Sequence, residues 1–257
     1  MNLLSIKTKE ACLYVVKNKK AVMARLLFRE KGALFFMSDS DGSLYPVFYL
    51  KERSENMISI IDYGAGNMKS LQLALEKTGM NSQITTDEAT IKKSDAIILP
   101  GVGAFQDAMR VLKEQGLFSI IKQEVAKGKP LLGICLGMQL FFELSEEDGE
   151  TEGFGFLSGK VCKISGDVKV PHMGWNNLIK HRNSPLCNNL PTDAFVYFVH
   201  SYAAGGLDAN TLVASTIYGD TIPAIVQQNN IVGMQFHPEK SGSTGLELLA
   251  NFREMIR

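Results

Sequence analysis

Residues 130–137 read Pro-Leu-Leu-Gly-Ile-Cys-Leu-Gly. The apolar run 130–134 has the composition of a buried β-strand, and a turn with glycines around Cys135 follows it before a helical sequence. A strand, a tight turn and a helix in this order are the pattern of a nucleophile elbow, here with cysteine. The turn projects the Cys135 side chain beyond the strand, where the start of a helix favours a thiolate. Alone, this segment also fits a buried structural cysteine between packing glycines.

The sequence around this elbow predicts an α/β fold. Between residues 57 and 142, apolar strands alternate with amphipathic helices, which is typical of a parallel sheet with helices on both faces. The shorter apolar runs that follow predict antiparallel or mixed strands that extend this sheet. The predicted strands are 58–62, 81–86, 95–99, 130–134, 158–164, 175–181, 194–199, 211–217, 223–227 and 231–236, and the main helices are 67–79, 104–127 and 243–256.

The first 56 residues differ in character from the rest of the chain. Residues 1–56 carry 10 Lys+Arg and 6 Asp+Glu, whereas residues 57–257 carry 17 and 21. A charged run at 51–56 resembles a linker, and a turn signal lies at 39–42 between apolar runs. We therefore divide the chain into an N-terminal extension, 1–56, and a main domain, 57–257. The extension fits a small β-rich appendage, and it equally fits a mis-assigned translation start.

Composition excludes several classes of protein. The 257 residues have a formal net charge of zero, which does not favour nucleic acid or a charged membrane surface. No apolar run reaches the roughly 18–20 residues of a membrane span. The cysteines show neither a CxxC pair nor metal-ligand spacing, and no secretion signal is evident, so we expect reduced thiols and a cytoplasmic location. The four cysteines are Cys12, Cys135, Cys162 and Cys187.

Two backbone N–H groups are candidates for an oxyanion hole. Leu136 follows the nucleophile at the start of the predicted helix, where its N–H has no intrahelical acceptor. The sequence Pro-Gly-Val-Gly at 100–103 ends the preceding strand, and a glycine-rich loop lets backbone N–H groups approach a substrate closely. An ordinary loop is the simpler interpretation of 100–103 alone, but a parallel sheet would bring it next to the elbow.

His237 is the candidate proton shuttle. It lies in Gln-Phe-His-Pro-Glu-Lys, residues 235–240, directly after a predicted strand. A residue before proline is extended, and side chains two positions apart on an extended segment point the same way, so Glu239 is expected to orient His237. Cysteine, histidine and acid then form a triad in the order Cys135, His237, Glu239. By itself, His-Pro-Glu would more simply be a turn with a surface histidine.

Together these motifs resemble those of class I, triad-type glutamine amidotransferases, which have a flavodoxin-like fold. The resemblance rests first on Gly-Ile-Cys-Leu-Gly-Met-Gln at 133–139 and on residues 235–240. Three further segments are similar to the glutaminase subunits of imidazole glycerol phosphate synthase. These are Asp-Tyr-Gly-Ala-Gly-Asn-Met at 62–68, Pro-His-Met-Gly-Trp-Asn at 171–176 and Tyr-Phe-Val-His-Ser-Tyr at 197–202.

This resemblance implies a reaction and a set of site residues. Cys135 would attack glutamine to form a thioester, and His237, held by Glu239, would protonate the departing ammonia and then activate water. The resemblance assigns the oxyanion hole to Val102 and Leu136, with a peptide flip in the 100–103 loop. It assigns glutamine binding to Gly103, Gln139, Ser201 and Tyr202. It implies neither a metal nor an organic cofactor.

The resemblance also implies a partner. Ammonia would pass to a (β/α)₈ cyclase subunit in a heterodimer of histidine biosynthesis, with Asn67, Trp175 and Lys240 at the docking surface or ammonia exit. A helix cap is a competing interpretation of Asn67, and a core position is one of Trp175. Alternatives of function are a paralogue that supplies a different synthase, such as one of surface-sugar biosynthesis, a stand-alone γ-glutamyl hydrolase and a non-catalytic binding module.

Overall fold

The computed structural model describes residues 2–8, 11–17, 34–38, 44–50, 56–64 and 67–256. The chain forms two compact units, Met1–Glu55 and Asn56–Arg257. The first contains an antiparallel sheet in the order β1-β2-β4-β3. The turn expected at 39–42 and residues 51–55 of the expected linker lie outside the described residues. The strands of the first unit are β1 (Asn2–Thr8), β2 (Ala11–Lys17), β3 (Leu34–Ser38) and β4 (Leu44–Leu50).

The second unit contains fourteen strands and six α-helices within its described residues. The strands are β5 (Met57–Ile61), β6 (Asn81–Thr85), β7 (Ala96–Leu99), β8 (Leu131–Ile134), β9 (Phe142–Ser145), β10 (Thr151–Glu152), β11 (Leu157–Lys163), β12 (His172–Asn177), β13 (Ile179–Lys180), β14 (Phe195–His200), β15 (Tyr202–Gly205), β16 (Leu212–Tyr218), β17 (Asp220–Gln228) and β18 (Ile231–Met234). The helices are α1 (Met68–Lys77), α2 (Glu88–Lys93), α3 (Phe105–Glu114), α4 (Leu117–Ala126), α5 (Leu136–Gln139) and α6 (Gly242–Arg253).

An eight-stranded mixed sheet forms the centre of this unit, in the order β13-β16-β17-β18-β8-β7-β5-β6. The five strands from β18 to β6 are parallel, and β17, β16 and β13 continue the sheet antiparallel. The predicted mixed, mostly parallel sheet is therefore confirmed. Because β7, β8 and β18 are neighbours and parallel, the segments that follow them meet at one edge, where open α/β sheets bind ligands.

Helices cover both faces of the sheet, each with its own apolar core. The buried side chains of α1 and α6, such as Leu75 and Phe252, pack in one cluster with the sheet residues Ile58 and Ile60. Those of α2, α3 and α4 pack in a second cluster, which includes Leu112. Strand residues alternate between the two clusters, as expected for a sheet buried on both faces.

The structure adds two details to the predicted helices. The helical sequence expected over 104–127 forms two helices, α3 and α4, separated at Gly116, whose φ of 73° is left-handed and ends a right-handed helix. The helix after Cys135 is a single turn of four residues. Such a short helix has only a small macrodipole, so the dipole effect expected from the sequence is weak there.

The strands after residue 142 only partly extend the main sheet. β13, β16 and β17 do so, but β10, β9, β11 and β15 form a separate four-stranded sheet, and β12 pairs only with β14 in a two-stranded ribbon. The strand expected at 175–181 begins at His172 instead and is interrupted at Leu178. Within the described ranges, no helix is long and apolar enough to cross a bilayer.

Candidate active site

Cys135 lies between β8 and α5 in a strained backbone conformation, with φ 55° and ψ −113°. Such a conformation costs a non-glycine residue on the order of 1–3 kcal/mol and is concentrated at functional sites. The turn is possible because its two glycines have no side chains. A Cβ at Gly137 would overlap the carbonyl oxygen of Leu99, and one at Gly133 would lie 2.5 Å from the ring of Phe141. The glycines around Cys135 therefore meet the expectation of an elbow.

The strand that precedes His237 is the direct neighbour of the elbow strand. Met234 of β18 is in register with Ile134 of β8, and the N–H of Cys135 donates to the Met234 carbonyl oxygen at 2.8 Å. Continuing the two strands by one to three residues brings Gln235 and His237 beside Cys135. The sheet thus brings together groups that are about one hundred residues apart in the chain.

His237 is buried and its ring is oriented by Glu239. His237 Nδ1 lies 2.9 Å from Glu239 Oε1, so Nδ1 carries a proton that it donates to the carboxylate. The other ring nitrogen, Nε2, is buried without a hydrogen-bond partner among the described residues. The His237 backbone is extended, but Glu239 lies in a 3-10 turn, Pro238–Lys240. A turn, rather than the expected extended segment, therefore brings the two side chains together.

The electrostatics of the site favour a protonated His237. Burial alone would lower the pKa of His237, but the nearby Cys135 sulfur and the Glu239 carboxylate outweigh burial and raise it to about 9. A nearby anion stabilises an imidazolium, and an imidazolium in turn stabilises a thiolate. The site therefore holds a proton that can be transferred to a leaving amine.

The 100–103 loop also lies beside the elbow, because β7 pairs with β8. Tyr63, which follows β5, donates its hydroxyl hydrogen to the carbonyl oxygen of Pro100 at 2.7 Å. Burial, with a contribution from Cys135, raises the pKa of Tyr63, so the hydroxyl stays a donor. The two candidate oxyanion segments are in contact: Gly101 lies so close to Leu136 that a Cβ added to it would be 3.0 Å from the Leu136 Cβ. Val102 is 47% exposed at the open side of this loop.

Gln139 joins the candidate substrate residues to the nucleophile. Its Nε2 donates to the carbonyl oxygen of Tyr202 at 2.8 Å and to Gln235 Oε1 at 3.0 Å. Gln235 Nε2 in turn lies 3.8 Å from Cys135 Sγ. Ser201 directly precedes Tyr202. Gly103, the fourth candidate for glutamine binding, follows Val102 with a φ of 109°. Sequence reasoning missed Gln235, because its contact with Cys135 depends on the register of β18 against β8.

Glu147 is a second residue that sequence reasoning missed. Its Oε2 accepts from the N–H of Phe105 at 2.8 Å, at the start of α3 and two residues after Gly103. Burial, and to a smaller extent Asp148, raise the pKa of Glu147, while the Phe105 N–H opposes this. Burial, and then the charges of Glu147 and Asp148, raise the pKa of Tyr202. A partly buried carboxylate near the candidate glutamine site fits a ligand with an ammonium group.

The candidate docking residues are exposed, but they differ in their structural contacts. Asn67 caps α1, since its Oδ1 accepts from the N–H of Ser70 at 3.3 Å. Trp175 is not a core residue: it is 56% exposed and packs edge-on against Tyr197 on the neighbouring strand. Lys240 is exposed and ends the 3-10 turn of Glu239.

Comparisons with known proteins agree with this fold. The family model of class-I glutamine amidotransferases matches residues 59–255. The chain is 60% identical over 201 residues to imidazole glycerol phosphate synthase subunit HisH from Oceanobacillus iheyensis. The aligned region covers 78% of this chain and 100% of that protein. It is 49% identical over 201 residues to the protein of the same name from Caldanaerobacter subterraneus subsp. tengcongensis, with 78% and 99% covered.

Solved structures support the fold alone, because their sequence identities are low. A crystal structure of a glutamine amidotransferase superposes with a TM-score of 0.63 at 19% identity and covers 77% of this chain and 98% of that one. The structure of PurLQS from Thermotoga maritima also gives 0.63 at 19% identity, with 79% of this chain and 100% of that chain covered.

The chain therefore belongs to the class-I glutamine amidotransferase family, as the resemblance of its motifs indicated. Within that class, the extent and level of identity assign it to the family of the imidazole glycerol phosphate synthase subunit HisH.

Proposed function

We propose that this protein is the glutaminase subunit of imidazole glycerol phosphate synthase, which hydrolyses glutamine and delivers the ammonia to a cyclase subunit in histidine biosynthesis. The observation that carries the proposal is the meeting of Cys135, His237 and Glu239 at the carboxyl ends of adjacent parallel strands. A strained cysteine beside an imidazole that a buried carboxylate orients is the arrangement of a thiol acyl-transfer site.

In the first half of the reaction, the Cys135 thiolate attacks the side-chain amide carbon of glutamine. The carbonyl oxygen becomes an oxyanion, which the N–H groups of Leu136 and Val102 stabilise in this proposal. His237 gives its Nε2 proton to the amide nitrogen, the C–N bond breaks, and ammonia leaves. Cys135 is then bound to the glutamyl group as a thioester.

In the second half, His237 is neutral and acts as a base. Its Nε2 removes a proton from water, and the resulting hydroxide attacks the thioester carbon. The C–S bond breaks, glutamate leaves, and the thiolate and imidazolium are restored. The pKa of about 9 for the resting imidazolium, with Glu239 as its partner, suits the first step, since the proton is in place before the amine departs.

Four groups bind glutamine in this proposal, and Glu147 is a fifth. Gly103, Gln139, Ser201 and Tyr202 are the four, and Gln139 is linked to the sulfur through Gln235. The α-ammonium group of an amino acid needs an anion, and Glu147 offers one at the start of α3, two residues after Gly103. Glu147→Gln is accordingly expected to raise the KM for glutamine more than it lowers kcat.

The exposed face of the β12–β14 ribbon is the docking surface in this proposal. It presents Met173, Trp175 and Phe195, with 62%, 56% and 48% of each residue exposed. Contiguous exposed apolar side chains of this kind mark protein–protein contacts. The surface is also close to the chemistry, because the carbonyl oxygen of Val199, which is paired with Met173, lies 3.8 Å from Cys135 Sγ. In this proposal, Asn67 and Lys240 belong to the rim of the docking surface.

The proposal includes a domain division and a location. The amidotransferase domain is 57–257, and the curated relatives, matched over almost their full length, support its self-sufficiency. Residues 1–56 are an extension without an assigned role. A reduced Cys135 is required for catalysis, which supports a reducing compartment such as the cytoplasm.

Cys135→Ala tests the proposal in the complex with the cyclase subunit. We expect glutamine-dependent synthesis to be abolished, whereas synthesis supplied with ammonium salt continues at the wild-type rate. Glutamine-dependent turnover by the variant would overturn the assignment of the nucleophile.

A second experiment tests the acceptor. Pull-down with the cyclase subunit, followed by glutaminase assays with and without its phosphorylated ribulosyl nucleotide, should give binding and substrate-stimulated hydrolysis. Binding to a different synthase instead would favour the paralogue, and full activity without any partner would favour a stand-alone hydrolase.

A further inference from the structure

Gln235 is a buried side chain that the reaction scheme above does not use. It is fully buried directly after β18, in the position beside the elbow. Its carboxamide makes two contacts: Oε1 accepts from Gln139 Nε2 at 3.0 Å, and Nε2 lies 3.8 Å from Cys135 Sγ. It therefore bridges a residue of the glutamine site and the nucleophile itself.

The orientation of this carboxamide follows from its neighbours. The carbonyl oxygen of Tyr202 can only accept, so the atom of Gln139 that lies 2.8 Å from it is the NH₂ group. The same NH₂ group faces Gln235 at 3.0 Å, where only an oxygen can accept from it. The remaining end of the Gln235 amide, which faces the sulfur, is therefore its NH₂ group.

The His237 imidazole and the Tyr63 hydroxyl also interact with Cys135, and two further, uncharged groups near the sulfur have opposite effects on its ionisation. The carbonyl oxygen of Val199, also 3.8 Å from Sγ, accepts from an S–H group and so favours the thiol. The NH₂ group of Gln235 donates toward the sulfur and so favours the thiolate. In a variant without this donor, the Val199 carbonyl oxygen still favours the thiol, and the Gln235 NH₂ group no longer opposes it.

We infer that Gln235 is a further catalytic residue, whose carboxamide N–H holds the Cys135 sulfur as a thiolate and directs it toward the amide bound beside Gln139. The inference rests on the proposed function, in which Cys135 is the nucleophile. It adds a role for the first residue of the Gln-Phe-His-Pro-Glu-Lys motif, beside that of its histidine and glutamate.

Two variants separate the donor from the rest of the side chain. Gln235→Glu keeps an oxygen that accepts from Gln139 but turns a carboxylate oxygen toward the sulfur. Gln235→Met keeps the approximate volume and loses both contacts. Gln227→Met is the matched control, because Gln227 is a glutamine near the end of the neighbouring strand β17, where its Oε1 accepts from the Ser184 hydroxyl.

The rate of iodoacetamide alkylation is measured against pH on the full chain, with Cys135→Ala as the background for the other thiols. We expect the midpoint of the alkylation curve to move up by about one pH unit in Gln235→Met, equivalent to a roughly tenfold loss of thiolate, and further in Gln235→Glu. The KM for glutamine, measured with the cyclase subunit, should rise in Gln235→Met and stay near wild type in Gln235→Glu. Gln227→Met should keep the wild-type midpoint.

Wild-type midpoints in both Gln235 variants would overturn the inference. If Gln235→Met does not fold, as judged by circular dichroism, the Gln235→Glu curve decides. Alkylation needs neither glutamine nor a partner, so this result is independent of whether the wild-type complex hydrolyses glutamine, which tests the proposed function.

Discussion

His172 Nδ1 lies 3.0 Å from His200 Nε2 on the buried face of the β12–β14 ribbon. His200 Nδ1 is 2.8 Å from the carbonyl oxygen of Tyr202 and must donate to it, so His200 Nε2 accepts from His172. Burial lowers the pKa of both rings to about 4, so both are neutral near pH 7 and have these tautomers. The pair supports the same carbonyl oxygen that orients Gln139, which links the ribbon to the glutamine site.

These two histidines predict acid sensitivity. Burial lowers the pKa of His172 to about 4, and burial with the neighbouring His172 lowers that of His200 to about 4. The unfolded chain then binds protons that the folded chain does not, so stability falls as pH drops from 6.5 toward 4. Between about pH 7 and about pH 5, each histidine should remove on the order of 2 kcal/mol from the free energy of unfolding, measured by denaturant titration.

Two variants identify the source of this acid sensitivity. His172→Phe keeps an aromatic ring between Phe198 and Tyr218, on which His172 stacks, and should reduce the loss on acidification by about 2 kcal/mol. His181→Gln, at an exposed position, should leave the loss unchanged. An equal loss in His172→Phe and wild type would contradict the assignment.

Replacing Glu239 with glutamine tests the orientation of His237. The carboxylate fixes the ring tautomer and stabilises the imidazolium, so Glu239→Gln should lower kcat for glutamine by about 10²- to 10⁴-fold. Synthesis from ammonium salt should continue, because it bypasses the site. Wild-type glutaminase activity in the variant would show that another group orients the imidazole.

The same variant should change the response of stability to alkaline pH. The folded pKa of His237 is raised, so its stabilising contribution is complete below 6.5 and is lost as pH rises to about 9. The contribution amounts to at most about 3 kcal/mol. We therefore expect the difference in Tm between wild type and Glu239→Gln to be larger near neutral pH than above about pH 9.

Much of the fold and of the candidate site was predictable from sequence, because both are encoded in local patterns. The apolar run before Cys135 predicts a buried parallel strand, and the flanking glycines predict a turn that excludes side chains. His-Pro-Glu predicted that His237 and Glu239 meet. The geometry of that contact was not predictable, since it depends on a 3-10 turn, Pro238–Lys240, and not on an extended segment.

Features that depend on strand pairing were beyond the sequence. The contact of Gln235 with Cys135 requires the register of β18 against β8, which no local pattern encodes. Trp175 is exposed because β12 pairs only with β14, whereas composition favours a buried tryptophan. The break at Gly116, by contrast, had a local signal, since glycine commonly ends helices.

Gly137→Ala should destabilise the protein strongly, although it adds only one methyl group. The added methyl group would overlap the Leu99 carbonyl oxygen and lie 2.7 Å from the Leu99 carbonyl carbon, so the backbone of β7 must move. We expect a loss of about 1–3 kcal/mol or more in the free energy of unfolding from denaturant titration. Gly205→Ala, where a Cβ meets nothing within 4 Å, is the control and should change stability by less than about 0.5 kcal/mol.

Trp175→Ala tests the docking surface without altering the core. Trp175 is largely exposed, and a Cβ on Gly242, just beyond the triad segment, would touch its ring at 4.0 Å. An aromatic anchor at the centre of an interface typically contributes at least about 2 kcal/mol, so the Kd for the cyclase subunit should rise roughly 30-fold by calorimetry. Leu73→Ala, an exposed apolar residue on α1, should bind as the wild type does. Equal affinities for Trp175→Ala and wild type would place the interface elsewhere. The Tm of Trp175→Ala is the folding control: if it is unchanged, a weaker affinity reflects the interface and not the fold.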